Sequence, residues 1–143
     1  GAQKQLKEAM DLAKEKGARK VIPLAVSGAF HSHLMAPAMG GMLKALDSVE
    51  FAHPVVPIIG NCTAMPLKAK REVKEELAEQ LCGCVRWEEC ISYMLAEGTT
   101  GFIEFGPGRV LSGMVKQIDK DASVLSVNDL VSAQSLSERL SQN

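Results

Sequence analysis

Short apolar runs alternate with amphipathic helical segments along this 143-residue chain, and this alternation constrains its fold more than any other feature. The strand-like runs cover residues 19–26, 55–59, 101–105 and 123–127. The first two are nearly continuous in apolar residues, which is typical of strands buried on both faces of a sheet. Strands that alternate with helices predict an α/β layered fold with a largely parallel sheet.

The segments between these runs carry apolar residues at the helical period of three to four. The predicted helices are residues 3–16, residues 34–47, residues 70–81, a helix from Trp87 to just before Gly98, a helix after Gly106-Pro107-Gly108, and a final helix that Asn128 can cap. Gly17 and Gly98 are suited to the ends of the helices that they follow, because glycine adopts the left-handed conformation of a helix C-cap.

Composition excludes several classes of function. The chain has 16 basic and 17 acidic residues, so its net charge of -1 gives no reason to expect nucleic acid or an anionic membrane as a partner. No apolar run approaches the roughly 18 residues of a membrane span. The four cysteines lack the paired spacing of a zinc site, and a core of this size does not require disulfides. We therefore expect reduced thiols, no metal and a cytoplasmic protein.

The segment from Ser27 to Met35 is the strongest candidate for chemistry. It places His31 directly after an apolar run and before a helix, and α/β folds carry their functional groups at the carboxyl ends of strands. Histidine can accept and return a proton near neutral pH. A histidine base needs a nucleophile, and the chain contains no Gly-x-Ser-x-Gly elbow. From spacing alone, a structural or surface histidine remains the alternative.

Three segments carry a resemblance to a known family: Pro23–Ser32, Val56–Ala64 and Ile103–Met114. In this order, they resemble the C-terminal half of the malonyl-CoA:acyl carrier protein transacylases of type II fatty acid synthesis. The resemblance implies an α/β-hydrolase-like subdomain with a small ferredoxin-like subdomain inserted. Residues 1–27 would end the small subdomain, and residues 28–143 would form the C-terminal part of the large one.

The same resemblance implies roles for individual residues. His31 would be the general base and acid for a serine nucleophile, and the backbone carbonyl of Gln80, or of a near neighbour, would orient its ring. Asn61 would line the cleft, and Phe30 would favour malonyl over the branched methylmalonyl group. Two plainer readings stay open, in which Gln80 only ends a helix and Asn61 is an ordinary turn residue.

The implied reaction moves malonyl from coenzyme A, through a serine ester, to the phosphopantetheine thiol of acyl carrier protein, without a cofactor. The serine, the oxyanion-hole loop and the arginine for the malonyl carboxylate would lie upstream, so the chain alone is expected to be inactive. Arg19, Lys20 and Lys116 would contact the acidic carrier protein, unless they are ordinary solvated cations.

Two other functions stay open. One is a serine hydrolase of similar fold, which would usually carry an acidic residue near the histidine, and none adjoins His31. The other is a non-catalytic interaction domain descended from an acyltransferase.

Overall fold

The computed structural model describes residues 2–141, which divide into two compact units after Arg86. The first unit contains α1 (Gln3–Glu15), a short 3-10 helix (His33–Ala38), α2 (Met39–Asp47), β1 (Ile58–Ile59), β2 (Pro66–Leu67) and α3 (Lys70–Glu79). The second unit contains α4 (Trp87–Ala96), β3 (Gly101–Phe105), α5 (Val110–Ile118), β4 (Ser123–Val127) and α6 (Leu130–Ser141).

The second unit confirms the predicted α/β class. Strands β3 and β4 have the predicted bounds and pair in parallel, with Gly101 opposite Ser123. Parallel neighbours need a crossover connection, and α5 supplies it. The core beneath this pair is formed by Ile91, Val115 and Ala122, and the side chain of Ile91 is only 1% exposed. The helical period of α4 and α5 therefore buries one face of each helix beneath the two strands.

One carboxylate ties β3 to the start of α5. Glu104 accepts hydrogen bonds from the backbone N–H groups of Leu111, at 3.1 Å, and Ser112, at 2.8 Å. The first N–H groups of a helix have no partner within the helix, so Glu104 supplies the missing acceptor. The Ser112 hydroxyl also donates to Glu104 and lies 2.9 Å from the Ser126 hydroxyl of β4. These hydrogen bonds, led by that of the Ser112 hydroxyl, lower the pKa of Glu104 below its ordinary value of 4.5.

The predicted cap of the final helix is displaced by one residue. Asp129 Oδ1 accepts from the backbone N–H of Ser132 at 2.8 Å, so Asp129 caps α6 in place of Asn128. With its Nδ2 turned toward the loop after β3, Asn128 donates to the carbonyls of Gly106 and Gly108 at 2.6 and 2.7 Å. Asn128 therefore stabilises the Gly-Pro-Gly turn and does not start the helix.

The first predicted strand is wrong. Residues 19–26 form no strand, and Leu24 and Val26 are 78% and 70% exposed. A strand requires a hydrogen-bonded neighbour, and no segment within residues 2–141 pairs with this run. The second predicted strand covers residues 55–59, but the observed strand β1 contains only the last two of them, which pair antiparallel with β2.

The predicted helices differ from the observed ones mainly at their ends. The spacing of apolar residues predicts one helix over residues 34–47, but the segment begins as the 3-10 helix that contains Pro37 and only then becomes α2. Helix α3 ends at Glu79, before the predicted residue 81. Gly17 and Gly98, at φ +88° and +89°, follow α1 and α4 as expected.

The predicted subdomain boundary and the absence of a membrane span have different standing. The subdomain boundary after residue 27 belongs to a longer fold and stays a prediction. Within residues 2–141, none of the helices has the length and apolar character that crossing a bilayer requires.

The capping of α5 by Glu104 predicts a pH-dependent loss of stability in Glu104→Gln. Since the folded-state pKa is lowered, the carboxylate stabilises the fold above pH 4.5, and this contribution is lost as the pH falls through the folded-state pKa. We expect a lower melting temperature for Glu104→Gln than for the unaltered protein at pH 7, and a narrowing difference below pH 4.5. Thermal unfolding followed by circular dichroism measures both. Glu97→Gln, at an exposed position after α4, is the control, and an equal effect there would contradict the assignment.

Candidate functional site

His31 is held at the C-terminal end of α3 by two hydrogen bonds. Its backbone N–H donates to the carbonyl of Leu81 at 3.1 Å, and its ring Nδ1 lies 2.8 Å from the carbonyl oxygen of Gln80. Carbonyls at the end of a helix have no partner within the helix and are available for such bonds. His31 has a φ of +61°, a left-handed conformation that costs about 1–3 kcal/mol outside glycine. The two bonds stabilise the residue in this strained conformation.

The bond to Gln80 determines which ring nitrogen of His31 is free. A carbonyl oxygen can only accept, so Nδ1 carries the proton and donates it. In the neutral ring, Nε2 is then the acceptor. The His31 side chain is exposed, so Nε2 is accessible to a group that gives up a proton. The neutral backbone partner thus sets the tautomer and leaves Nε2 able to accept a proton.

Asn61 joins this arrangement through the side chain of Gln80. Asn61 Nδ2 donates to Gln80 Oε1 at 3.0 Å, while the Asn61 carbonyl accepts from the backbone N–H of Arg86 at 2.8 Å. Gln80 thus contacts His31 with its backbone and Asn61 with its side chain. The structure brings these three predicted site residues together in one hydrogen-bonded chain.

The turn that carries Asn61 connects β1 to β2. Within it, the backbone N–H of Ala64 donates to the carbonyl of Gly60 at 2.9 Å, and Ala64 has a φ of +54°. The carboxylate of Glu76, on α3, reaches this turn and accepts from the backbone N–H of Cys62 at 2.7 Å and from the Thr63 hydroxyl at 3.4 Å.

Sequence reasoning missed Glu76. Four glutamates lie in the charged helix α3, and nothing in their spacing distinguishes this one. It precedes Gln80 by one helical turn, but that interval alone does not predict which side chain is buried.

Cys62 lies in the same turn, and its thiol is hard to ionise. Burial raises the pKa of Cys62 to about 11, and the nearby negative charges of Glu76 and Glu79 contribute further. A thiol of this kind is a poor nucleophile near neutral pH, because only the thiolate reacts. Cys62 therefore contributes packing and a backbone donor to the site.

Phe30 lies beside His31 and covers Gly28. A Cβ atom at Gly28 would come within 2.9 Å of the Phe30 ring, so only glycine allows the ring to lie there. Phe30 is 56% exposed.

The predicted carrier-protein residues occupy both units. Arg19 and Lys20 are exposed in the first unit, shortly after Gly17. Lys116 lies on α5 in the second unit, where its Nζ donates to the carbonyl of Lys120 at 2.9 Å. Together with Arg109, Lys116 lines a groove of about 450 Å³ in that unit.

Side chains of the types that bind metals do not cluster in the part of the chain that the structure describes. Across residues 2–141, no set of three or more His, Cys, Asp or Glu side chains is arranged to hold an ion. Cys62, Cys82, Cys84 and Cys90 form no disulfide among the described residues.

Comparison with known proteins identifies relatives of the chain. No protein-family model matches it. The malonyl CoA-acyl carrier protein transacylase of Bacillus subtilis is 46% identical over 129 residues, which are 90% of this chain and 41% of that protein. The acyl-carrier-protein S-malonyltransferase of Bartonella henselae superposes with a TM-score of 0.87 at 35% identity, over 96% of this chain and 44% of that one.

A second solved structure contains a carrier protein. It is a type II PKS acyl-carrier protein in complex with its malonyl-transacylase, matched with a TM-score of 0.88 at 33% identity over 96% of this chain and 44% of that one. The chain spans less than half the length of the relatives it matches. The predicted resemblance to malonyl-CoA:acyl carrier protein transacylases is confirmed, and so is the fold class.

The raised pKa of Cys62 predicts slow alkylation. At pH 8 we expect iodoacetamide to modify Cys62 about 100-fold more slowly than an exposed thiol of ordinary reactivity, because so little thiolate is present. Mass spectrometric mapping after timed quenching measures the rate, with the exposed Cys84 as the internal reference. Equal rates at the two cysteines would show that the turn does not shield Cys62.

Proposed function

We propose that the protein carrying this chain, a homologue of the malonyl-CoA:acyl carrier protein transacylases, transfers malonyl from coenzyme A to the phosphopantetheine thiol of an acyl carrier protein. The observation that carries this proposal is the His31 ring, with Nδ1 bound to the Gln80 carbonyl at 2.8 Å and Nε2 free on an exposed side chain. The serine nucleophile is expected from a part of the protein outside this chain, whose sequence contains no Gly-x-Ser-x-Gly elbow.

In the first half-reaction, Nε2 of His31 takes the proton of the serine hydroxyl as its oxygen attacks the malonyl thioester. The carbon–sulfur bond then breaks, and the imidazolium returns the proton to the departing sulfur. Coenzyme A leaves as a free thiol, and malonyl remains as a serine ester.

In the second half-reaction, Nε2 takes the proton of the phosphopantetheine thiol, and the sulfur attacks the ester. The serine oxygen leaves with that proton, so the new thioester forms and the enzyme returns to its starting state. No cofactor takes part.

The partner of Nδ1 supports acyl transfer over the two alternatives. A serine hydrolase usually orients its histidine with a carboxylate, whereas the Gln80 carbonyl occupies that place here. The left-handed conformation of His31 favours catalysis over an interaction domain, because backbone strain of this kind clusters at active sites.

The remaining site residues have supporting roles in this proposal. Phe30 would occupy the volume that a methyl branch on the acyl group needs. Arg19, Lys20 and Lys116 would attract the acidic carrier protein and so accelerate its encounter with the enzyme.

The protein would work in the cytoplasm, where coenzyme A thioesters are used. Residues 1–27 would end a ferredoxin-like subdomain of the whole protein.

Loss of the proposed base predicts a large loss of activity. In the full-length protein, His31→Ala should lower the rate of malonyl transfer by about 10²- to 10⁴-fold, the range that general acid–base catalysis supplies. Mass spectrometry of the carrier protein after timed incubation with malonyl-CoA measures the rate. His33→Ala, at the exposed histidine two positions along, is the matched control and should retain activity within about twofold. Normal turnover by His31→Ala would refute the proposal.

The size of Phe30 predicts the acyl preference. Phe30→Ser should raise the ratio of methylmalonyl to malonyl transfer by about 10- to 200-fold, since a single methyl group is worth about 1–3 kcal/mol of discrimination. Competition between the two coenzyme A thioesters measures the ratio. Phe30→Leu keeps most of the volume and should keep the malonyl preference, so equal shifts in both variants would argue against a steric role.

A further inference from the structure

We propose that Glu76 is a positioning residue for His31, whose carboxylate holds the turn between β1 and β2 against α3 and thereby fixes Asn61 and Gln80. The inference deepens the proposed function, because it assumes that His31 is the base. Glu76 acts only through other residues.

The burial of Glu76 is the first observation. Glu76 is 7% exposed. Among the residues that the structure describes, it is the only charged residue that is buried. Burying a carboxylate is unfavourable unless hydrogen bonds replace its hydration. Here the replacements come from one turn, through the backbone N–H of Cys62 at 2.7 Å and the hydroxyl of Thr63 at 3.4 Å. Its neighbour Glu75 instead remains exposed and pairs with Arg71.

The space around Gly60 is an independent observation. A Cβ atom at Gly60 would lie 2.6 Å from Glu76 Oε2 and 2.5 Å from Thr63 Oγ1. Both distances are far below van der Waals contact, so the turn can approach the carboxylate this closely only with glycine at this position. The absence of a side chain at Gly60 and the carboxylate of Glu76 therefore both contribute to the contact between the turn and α3.

The contact continues to His31 through Gln80. Asn61 lies between Gly60 and Cys62, and its Nδ2 donates to Gln80 Oε1 at 3.0 Å. Gln80 is one helical turn after Glu76, and its backbone N–H donates to the Glu76 carbonyl at 2.9 Å. Gln80 is thus held on both sides, by the helix through its backbone and by the turn through its side chain. Its carbonyl is directed at Nδ1 of His31 as a result.

Removal of the carboxylate would leave the Cys62 N–H and the Thr63 hydroxyl without their acceptor. The turn would then separate from α3, the bond between Asn61 and Gln80 would lengthen, and the imidazole would lose its fixed orientation. Misplacement of a catalytic group lowers the rate of the chemical step more than it weakens substrate binding. We therefore expect kcat to fall and KM for malonyl-CoA to stay unchanged.

The experiment uses the full-length protein with ¹⁵N-labelled histidine. Long-range ¹H–¹⁵N spectra of the His31 ring at pH 8 distinguish a protonated Nδ1 from a protonated Nε2. For Glu76→Ala and for Gly60→Ala we expect a mixture of the two tautomers and a kcat lowered by about tenfold or more, with KM unchanged. Glu76→Gln should recover part of kcat, because its amide oxygen can still accept from Cys62. Glu75→Ala, one position earlier on α3, is the matched control and should change neither quantity.

The outcomes separate this inference from the proposed function. Wild-type ring signals and wild-type kcat in Glu76→Ala would overturn it, and so would a lowered kcat with unchanged ring signals. If Glu76→Ala does not fold, Gly60→Ala and Glu76→Gln provide the same comparison. Absence of malonyl transfer in the unaltered protein would refute the proposed function, while the ring signals would still decide whether Glu76 positions His31.

Discussion

The candidate site depends on the two hydrogen bonds that His31 makes to the end of α3. The carbonyls of Gln80 and Leu81 accept from the ring and the backbone of the same residue, at 2.8 and 3.1 Å. They satisfy acceptors that the helix leaves without partners, and they hold His31 in a left-handed conformation that it would not adopt alone. The position of α3 therefore decides where the imidazole lies and which nitrogen is free.

In each unit a carboxylate joins a helix to a neighbouring strand or turn. In the first unit, Glu76 on α3 accepts from the turn between β1 and β2. In the second, Glu104 on β3 accepts from the start of α5, and Ser112 extends the contact to Ser126 on β4. In both cases the carboxylate accepts from backbone N–H groups, those of the turn in the first unit and those of the first turn of α5 in the second, where the helix itself supplies no acceptor.

Prediction from sequence succeeded where the pairing partner is close along the chain. Strands β3 and β4 pair with each other across a single helix, so their apolar pattern and their hydrogen bonds agree. It failed for residues 19–26, where the pattern is equally apolar but the described residues offer no neighbouring strand. An apolar run indicates that a segment is suited to burial, whereas a strand exists only when a second strand supplies donors and acceptors.

The amino-acid sequence by itself determined the α/β class, most helices, the resemblance to malonyl-CoA:acyl carrier protein transacylases and the choice of His31, Gln80 and Asn61. The class and the helices follow from local periodicity, and the resemblance follows from three short motifs. Gln80 and Asn61 were chosen only because that resemblance implies a role for them. Only the tertiary structure decided that Gln80 contacts His31 through its backbone and Asn61 through its side chain, and that Glu76 alone among the glutamates of α3 is buried. Those contacts join residues 13 to 49 positions apart, and no local pattern specifies which side chain faces which turn once the chain has folded.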